Sequence, residues 1–362
     1  MAIKAPVPLT ARGRPLKFTV TSEGAVVFAH GRSIFTLQRD GSVDELRQSQ
    51  PLSIARSSPS GSQMAIGDVN GNLCILDAPF GTNSVVRYEG RVLTGRIRDL
   101  QWNALGSLVV AVGEGRGLFA AVVETETGRA LGELAGPTKA SNAVAVSPLE
   151  PHSIAVGSDD YSVGIYSERP FRLCKTLQDH SGFVTSVAYS PDGYYLATAG
   201  ADGRIFLYNG NTTTLIGTLL SELVEKATIT GLAWLDNDRM VSSCTDGSIR
   251  VWRASTQQCV TTAQHWAQQV LGIQASNNGE YLGVILLDGS LVLLDSKLQI
   301  LSKHSGHTKA ISSLLVSEDH LGYSGDVDGR LGTRIGFHLT CYNLHDSVLE
   351  GWVRGIGISG LS

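Results

Sequence analysis

The 362-residue chain is poor in every feature that marks a secreted, membrane-spanning or nucleic-acid-gripping protein. Its five cysteines (Cys74, Cys174, Cys244, Cys259, Cys341) are scattered, odd in number and never spaced CxxC. That pattern excludes a disulfide framework or zinc knuckle and fits reduced structural thiols. No apolar run is long enough to span a bilayer; Leu282 to Leu294 comes nearest and is split by Asp288-Gly289. Met1-Ala-Ile-Lys-Ala-Pro-Val-Pro8 has no secretion-signal core, so the expected location is the cytoplasm. Charge is sparse and nearly balanced, net -4, without a basic block. A sequence-independent hold on nucleic acid is therefore not expected.

What the chain does have is glycine, 41 residues, and a recurring phrase. An apolar stretch is followed by Asp-Gly or a relative, then by another apolar stretch. The phrase occurs at Gly67 to Leu73, Gly157 to Tyr161, Ala201 to Ile205, Thr245 to Ile249, Leu287 to Leu291 and Val327 to Leu331. From Asp160 the steps to Asp202, Asp246, Asp288 and Asp328 are 42, 44, 42 and 40 residues. Strand-rich units at a period of roughly 40 to 45 residues are the signature of a β-propeller. Each blade then packs only on its neighbours, so the chain escapes the usual size limit of a single core.

The best-formed unit shows the grammar. Val184 to Ser190 alternates as a strand, Pro191-Asp-Gly193 turns, and Tyr194 to Gly200 is a second strand. Asp202-Gly203 turns again, Arg204 to Tyr208 is a third strand, and Thr214 to Leu219 supplies a fourth. The same frame fits six other units up to about residue 310. An eighth starts at Ile311 and loses its grammar after Gly332. The expected fold is all-β: a seven-bladed WD-repeat β-propeller over residues 1–310, a partial extra blade over 311–332, and an irregular tail over 333–362. The WD features are Asp179-His180 and Gly306-His307 before first strands, and Val251-Trp252, Leu76-Asp77 and Leu294-Asp295 ending third strands. His180 is expected to pair with Asp202, with Tyr208 in the Trp place, whereas Trp252 and Asp246 have no evident His.

Motifs for chemistry are weak. Gly113-Glu-Gly115-Arg-Gly117 looks like a phosphate loop, but Leu118 to Val123 reads as a strand where a dinucleotide loop needs a helix. Asp68-Val-Asn-Gly71 and Asp326-Val-Asp-Gly329 start like calcium loops and lack the closing Glu. His304 and His307 have no third ligand nearby. No nucleophile elbow or Ser-His-Asp set can be assigned. The chain is read as a non-enzyme with no cofactor and no metal. Informative residues lie on expected loops: Asp159-Asp160, one of them the structural turn aspartate, and Phe171 and Phe183, for which interface and inter-blade packing both stay open.

Several segments together resemble the actin-interacting protein 1 family of WD-repeat proteins. They are Arg12 to Pro15, Ile66 to Leu73, Gly95 to Trp102, Val110 to Arg116, Gly157 to Asp160, Arg169 to Leu173, Asp179 to Val184 and Tyr189 to Gly193. The resemblance is strong from about residue 12 to 210 and weaker to about 331. It implies a protein of the actin cytoskeleton that binds actin filaments, cooperates with cofilin and promotes disassembly by severing or end capping. It places the working surface on the third to fifth blades and carries over to Asp159, Arg172 and Phe183, with Glu114 and Arg116 in the Gly-Glu-Gly-Arg segment. Gly117 and Leu173 depart from the acidic and aromatic residues usual there. The family has two propellers, of which this chain would hold the first and the start of the second. The competing reading is a general WD-repeat adaptor for a multiprotein complex.

Overall fold

The computed structural model describes the side chains of residues 46–304, apart from 47, 79–83, 151, 168–170, 220–226, 265, 277, 278, 289, 291, 302 and 304. Outside that span it describes the backbone of strands. Eight four-stranded antiparallel sheets follow one another along the chain, covering residues 19–47, 52–91, 97–133, 141–177, 184–219, 229–263, 270–304 and 311–343. They are called blades 1 to 8. Each is built from four consecutive strands, so no described blade borrows a strand from a distant part of the chain. Neighbouring blades pack through their first strands, which puts those strands innermost and the fourth strands outermost.

The residue pattern explains this stacking. In blade 3 the second strand, Leu108–Gly113, is buried throughout. Alternate side chains serve opposite neighbours: Val109 and Ala111 join Ile54, Leu73 and Ile75 of blade 2. Leu108, Val110 and Val112 join Val144, Ile154 and Val156 of blade 4. A strand buried on both faces reads as a continuous apolar run rather than an alternation. Fourth strands are the converse: in Arg172–Leu177 only Leu177 is buried. Phe171 sits in the core between blades 3 and 4, so its packing reading holds.

The seven units expected before residue 310 are all present. The eighth differs from expectation. Beyond Gly332, where the Asp-Gly repeat grammar ends, Arg330–Ile335 pairs with His338–Asn343 and completes a fourth strand. The aromatic and β-branched residues Thr333, Ile335, Thr340 and Tyr342 suit a strand even without an Asp-Gly signal. Residues 344–362, Asp326-Val-Asp-Gly329 beyond Asp326, and His307 lie outside the described residues.

One irregularity recurs and positions everything below. The second residue of the innermost strand is a bulge in blades 2 to 7: Ser53, Arg98, Asn142, Thr185, Thr230 and Leu271 are each skipped by the register with the second strand. A bulge frees one residue from the ladder and re-aims its side chain. Here it aims along the ring: Thr185 Oγ1 lies 2.6 Å from the Ile229 carbonyl oxygen of the next blade. Thr230 Oγ1 lies 2.9 Å from that of Val270.

Candidate functional site

The hairpins between second and third strands and the loops between blades share one end of the sheets. Most of the candidate residues gather there. Glu114 lies in the hairpin of blade 3, after Leu108–Gly113. Asp159 lies in the hairpin of blade 4, between Ser153–Ser158 and Val163–Ser167. Phe183 closes the loop before Val184–Tyr189 of blade 5.

The bulge residue Arg98 ties the first two together. Its guanidinium donates to Glu114 Oε1 at 2.9 Å and to Asp159 Oδ2 at 3.1 Å. It also donates to Asn142 Oδ1. Asn142, the bulge residue of blade 4, returns its amide to Asp159 Oδ1 at 2.8 Å and to the Val184 carbonyl at 3.0 Å. The chain of bonds thus runs from blade 3 through blade 4 to the residue beside Phe183. Asp159 and Arg98 are largely covered, at 18% and 12% side-chain exposure, and Glu114 faces solvent at 45%. Beneath this layer Arg56 of blade 2 donates to the buried Asp99 at 2.7 Å, and Asp99 accepts the Val144 amide of blade 4.

Asp160, not Asp159, is the structural turn aspartate. It accepts from the Thr138 amide and hydroxyl and from the Ser162 amide and hydroxyl. Burial pushes its pKa up, but the hydrogen bonds from Ser162 and Thr138 outweigh it and hold it below the usual 3.8. After it comes Tyr161, exposed, with its ring centroid 5.6 Å from that of Phe183. The Lys139 ammonium stands 5.7 Å from the Tyr161 ring centre. Arg116 is exposed on the blade 3 hairpin, its backbone amide held by Thr94 Oγ1 at 2.7 Å.

Arg172 is not brought to this cluster. It opens the fourth strand of blade 4, paired with Ser167, while Leu177 at the far end pairs with Val163 beside the hairpin. A strand of that length separates it from Asp159 by roughly 17 Å, at about 3.3 Å per residue. Sequence reasoning also passed over Arg98, Asn142, Tyr161 and Lys139. The signal available for Arg98 was a cation in an innermost strand. For Tyr161 it was a ring where neighbouring hairpins have Gly71, Gly203 and Gly247.

Blade 5 bears out the expected pair: His180 Nδ1 lies 2.9 Å from Asp202 Oδ2, and Nε2 lies 2.9 Å from Thr198 Oγ1. Tyr208 turns its hydroxyl to Asp179 at 2.8 Å. In blade 6 Asp246 has Arg250 as partner, and Trp252 donates to Ser242 at 2.8 Å. The glycine-rich 113–117 segment lies between two strands, without the helix a phosphate loop needs. Asp68 is occupied by the amides of Asn70 and Asn72 and the Asn72 side chain. Among the described residues no group of three or more His, Cys, Asp or Glu side chains could hold a metal. The arrangement gathers ion-paired carboxylates, exposed rings and cations at one end of the sheets, and aromatic and Arg side chains are types that protein interfaces favour.

Comparison with known proteins agrees with this architecture. The WD domain, G-beta repeat family model matches residues 171–209 and 216–253. Both matches start with the outermost strand of one blade and continue through three strands of the next, so sequence repeat and blade are offset by one strand. The crystal structure of the computationally designed Ika8 protein superposes with TM-score 0.76 at 18% identity, over 89% of this chain and 96% of that one. Actin-interacting protein 1 of Drosophila melanogaster is 31% identical over 90% of this chain and 55% of its own length. Its Caenorhabditis elegans namesake gives the same figures, 31%, 90% and 55%. WD repeat-containing protein 1 of Xenopus tropicalis is 33% identical over 78% of this chain and 47% of its own. The chain therefore belongs to the family of WD-repeat β-propeller proteins that actin-interacting protein 1 represents, and it spans about half the length of those relatives.

Proposed function

We propose that this chain binds actin filaments and, together with cofilin, promotes their disassembly. It does so in the cytoplasm, by occupying surface rather than by covalent chemistry. The observation that carries this reading is the alignment of nine tenths of the chain with proteins named for interacting with actin. The clustering of Glu114, Arg116, Asp159 and Phe183 at one end of blades 3 to 5 supports it. Arg172, at the other end of blade 4, is left out of the proposed contact.

Sedimentation of the purified chain with actin filaments, with and without cofilin, tests the reading. Pelleting that increases when cofilin decorates the filaments is the expected result, accompanied by shorter filaments under the microscope. A chain that stays in the supernatant under both conditions overturns it and returns the general adaptor reading.

A further inference from the structure

Among the described residues, four that are not glycine have positive φ: Tyr161, Thr213, Gln257 and Leu298. The last three occupy one shared place, the turn between third and fourth strands at the far end of the blades. Tyr161 stands apart, at φ 77° in the hairpin between second and third strands. The matching hairpins of blades 2, 5 and 6 use Gly71, Gly203 and Gly247, at φ 89°, 75° and 84°. Those glycines are also sealed in. A Cβ on Gly71 would meet the Leu93 carbonyl oxygen at 2.1 Å, on Gly203 that of Ala227 at 2.7 Å, and on Gly247 that of Trp266 at 2.5 Å. In blade 4 the inter-blade loop leaves room for a side chain, and the side chain is an aromatic one.

Left-handed backbone costs free energy in any residue with a Cβ. A glycine would remove that cost here, as it does in three sibling blades. The ring belongs to neither of the core clusters that flank blade 4, and Tyr161 is 41% exposed and Phe183, its neighbour, 37% exposed. Strain kept at an exposed position points to a task outside the fold. Two tilted rings supply a stiff apolar seat. The carboxylates around it are already occupied: Asp160 by Thr138 and Ser162, Asp159 by Arg98 and Asn142. Those bonds engage the carboxylate oxygens without cancelling their charge, and the cation exposed at the rings is the Lys139 ammonium.

We propose that Tyr161, flanked by Phe183 and Lys139, is a binding anchor that takes an apolar side chain standing next to a carboxylate on the partner protein. This rests on the filament reading above and names the chemistry of one contact within it. The partner's carboxylate meets Lys139, and its apolar side chain covers the paired rings.

Three variants of the full chain test it by sedimentation with cofilin-decorated actin filaments, each paired with a thermal melt. Tyr161→Gly relieves the strained backbone and removes the ring. It is expected to melt at or above the wild-type temperature while its apparent Kd rises at least about tenfold, the size of a lost interface hot spot. Lys139→Glu is expected to weaken binding similarly, and Tyr161→Phe to bind as wild type. Wild-type binding by Tyr161→Gly overturns the anchor and leaves the filament reading standing. A fall in its melting temperature as large as that of the core variant Val156→Ala also overturns it, by making the ring a structural part. If the wild-type chain itself does not pellet, the filament reading and the anchor fail together.

Discussion

The bulge near the start of the innermost strand in blades 2 to 7 is filled differently on the two sides of blade 4. In blades 5 and 6 it holds Thr185 and Thr230, whose hydroxyls reach the first carbonyl of the next blade. In blades 3 and 4 it holds Arg98 and Asn142, which reach the next blade through Asp159 and the Val184 carbonyl. Both solutions join consecutive blades at the same backbone irregularity. The hydroxyl is short and ends inside the ring. The guanidinium and amide are long enough to extend to the hairpins, where Glu114 is half exposed. The same structural position can thus be a private clasp or the root of a surface. The residues proposed for binding sit on the side where it is the latter.

Breaking each kind of joint should give different results. The largest effect is expected from Asp99→Ala. It strands the Arg56 guanidinium and the Val144 amide between three blades, at a cost of about 3 kcal/mol, as for other broken covered ion pairs. Denaturant midpoints measure it, and Thr230→Val, which loses the neutral hydrogen bonds of its hydroxyl to the Val270 carbonyl and the buried Ser243 hydroxyl, should lose about 2 kcal/mol.

Next comes Asp159→Ala. It removes one partner each from Arg98 and Asn142 but leaves Glu114 and Asn142 on Arg98 and the Val184 carbonyl on Asn142, so the blade joint weakens by about 1 kcal/mol, the scale of a partly screened pair. Cofilin-dependent pelleting should fall much further than stability does. Equal losses in the two measurements would make the carboxylate a strut and nothing more.

Acid should act on both sides of the comparison alike, through the hairpin aspartates they share. For Asp202 burial raises the pKa, and the His180 hydrogen bond and charge with the amides of Ser181 and Arg204 bring it below 3.8. Asp246 is raised by burial and lowered further by Ser248, Cys244 and Arg250. Folding depresses these values, so the stability they add is complete above the unfolded value near 3.8 and is lost as pH falls through the lower folded ones. A denaturation series between pH 6 and pH 2.5 should show the decline beginning at about pH 4, with a shallower slope in Asp202→Asn.

The smallest effect belongs to Tyr189→Phe. Trp102 and Trp234, at the same place in blades 3 and 6, donate their indole N–H to carbonyls of the preceding blade, Arg56 at 3.0 Å and Ala188 at 3.3 Å. The buried Tyr189 hydroxyl has no hydrogen-bond partner among the described residues. Removing it should leave the melting temperature unchanged or raise it slightly.

The blades were legible because their signals are local. Asp160, Asp202, Asp246 and Asp288 each begin a turn within two residues of themselves, and each accepts a backbone amide two residues on. His180 with Asp202 was legible too, since both occupy fixed places in the repeat. The fourth strand of blade 8 was not, because His338–Asn343 has no turn aspartate to announce it. The candidate surface was legible only in part. Glu114, Asp159 and Phe183 come from three separate blades, and their adjacency follows from packing that no single repeat encodes.

The order of residues by itself determined the number and kind of units, because alternation, turn chemistry and period act over a few residues each. Only the assembled blades decided which loops face the same way. They also decided that Arg172 stands a strand length from Asp159, that Arg98 is the hub between two carboxylates, and that Tyr161 meets Phe183. Side chains 16 to 61 residues apart are joined here by a bulge and a shared face. Such contacts exist only once every blade has buried both its faces against its neighbours.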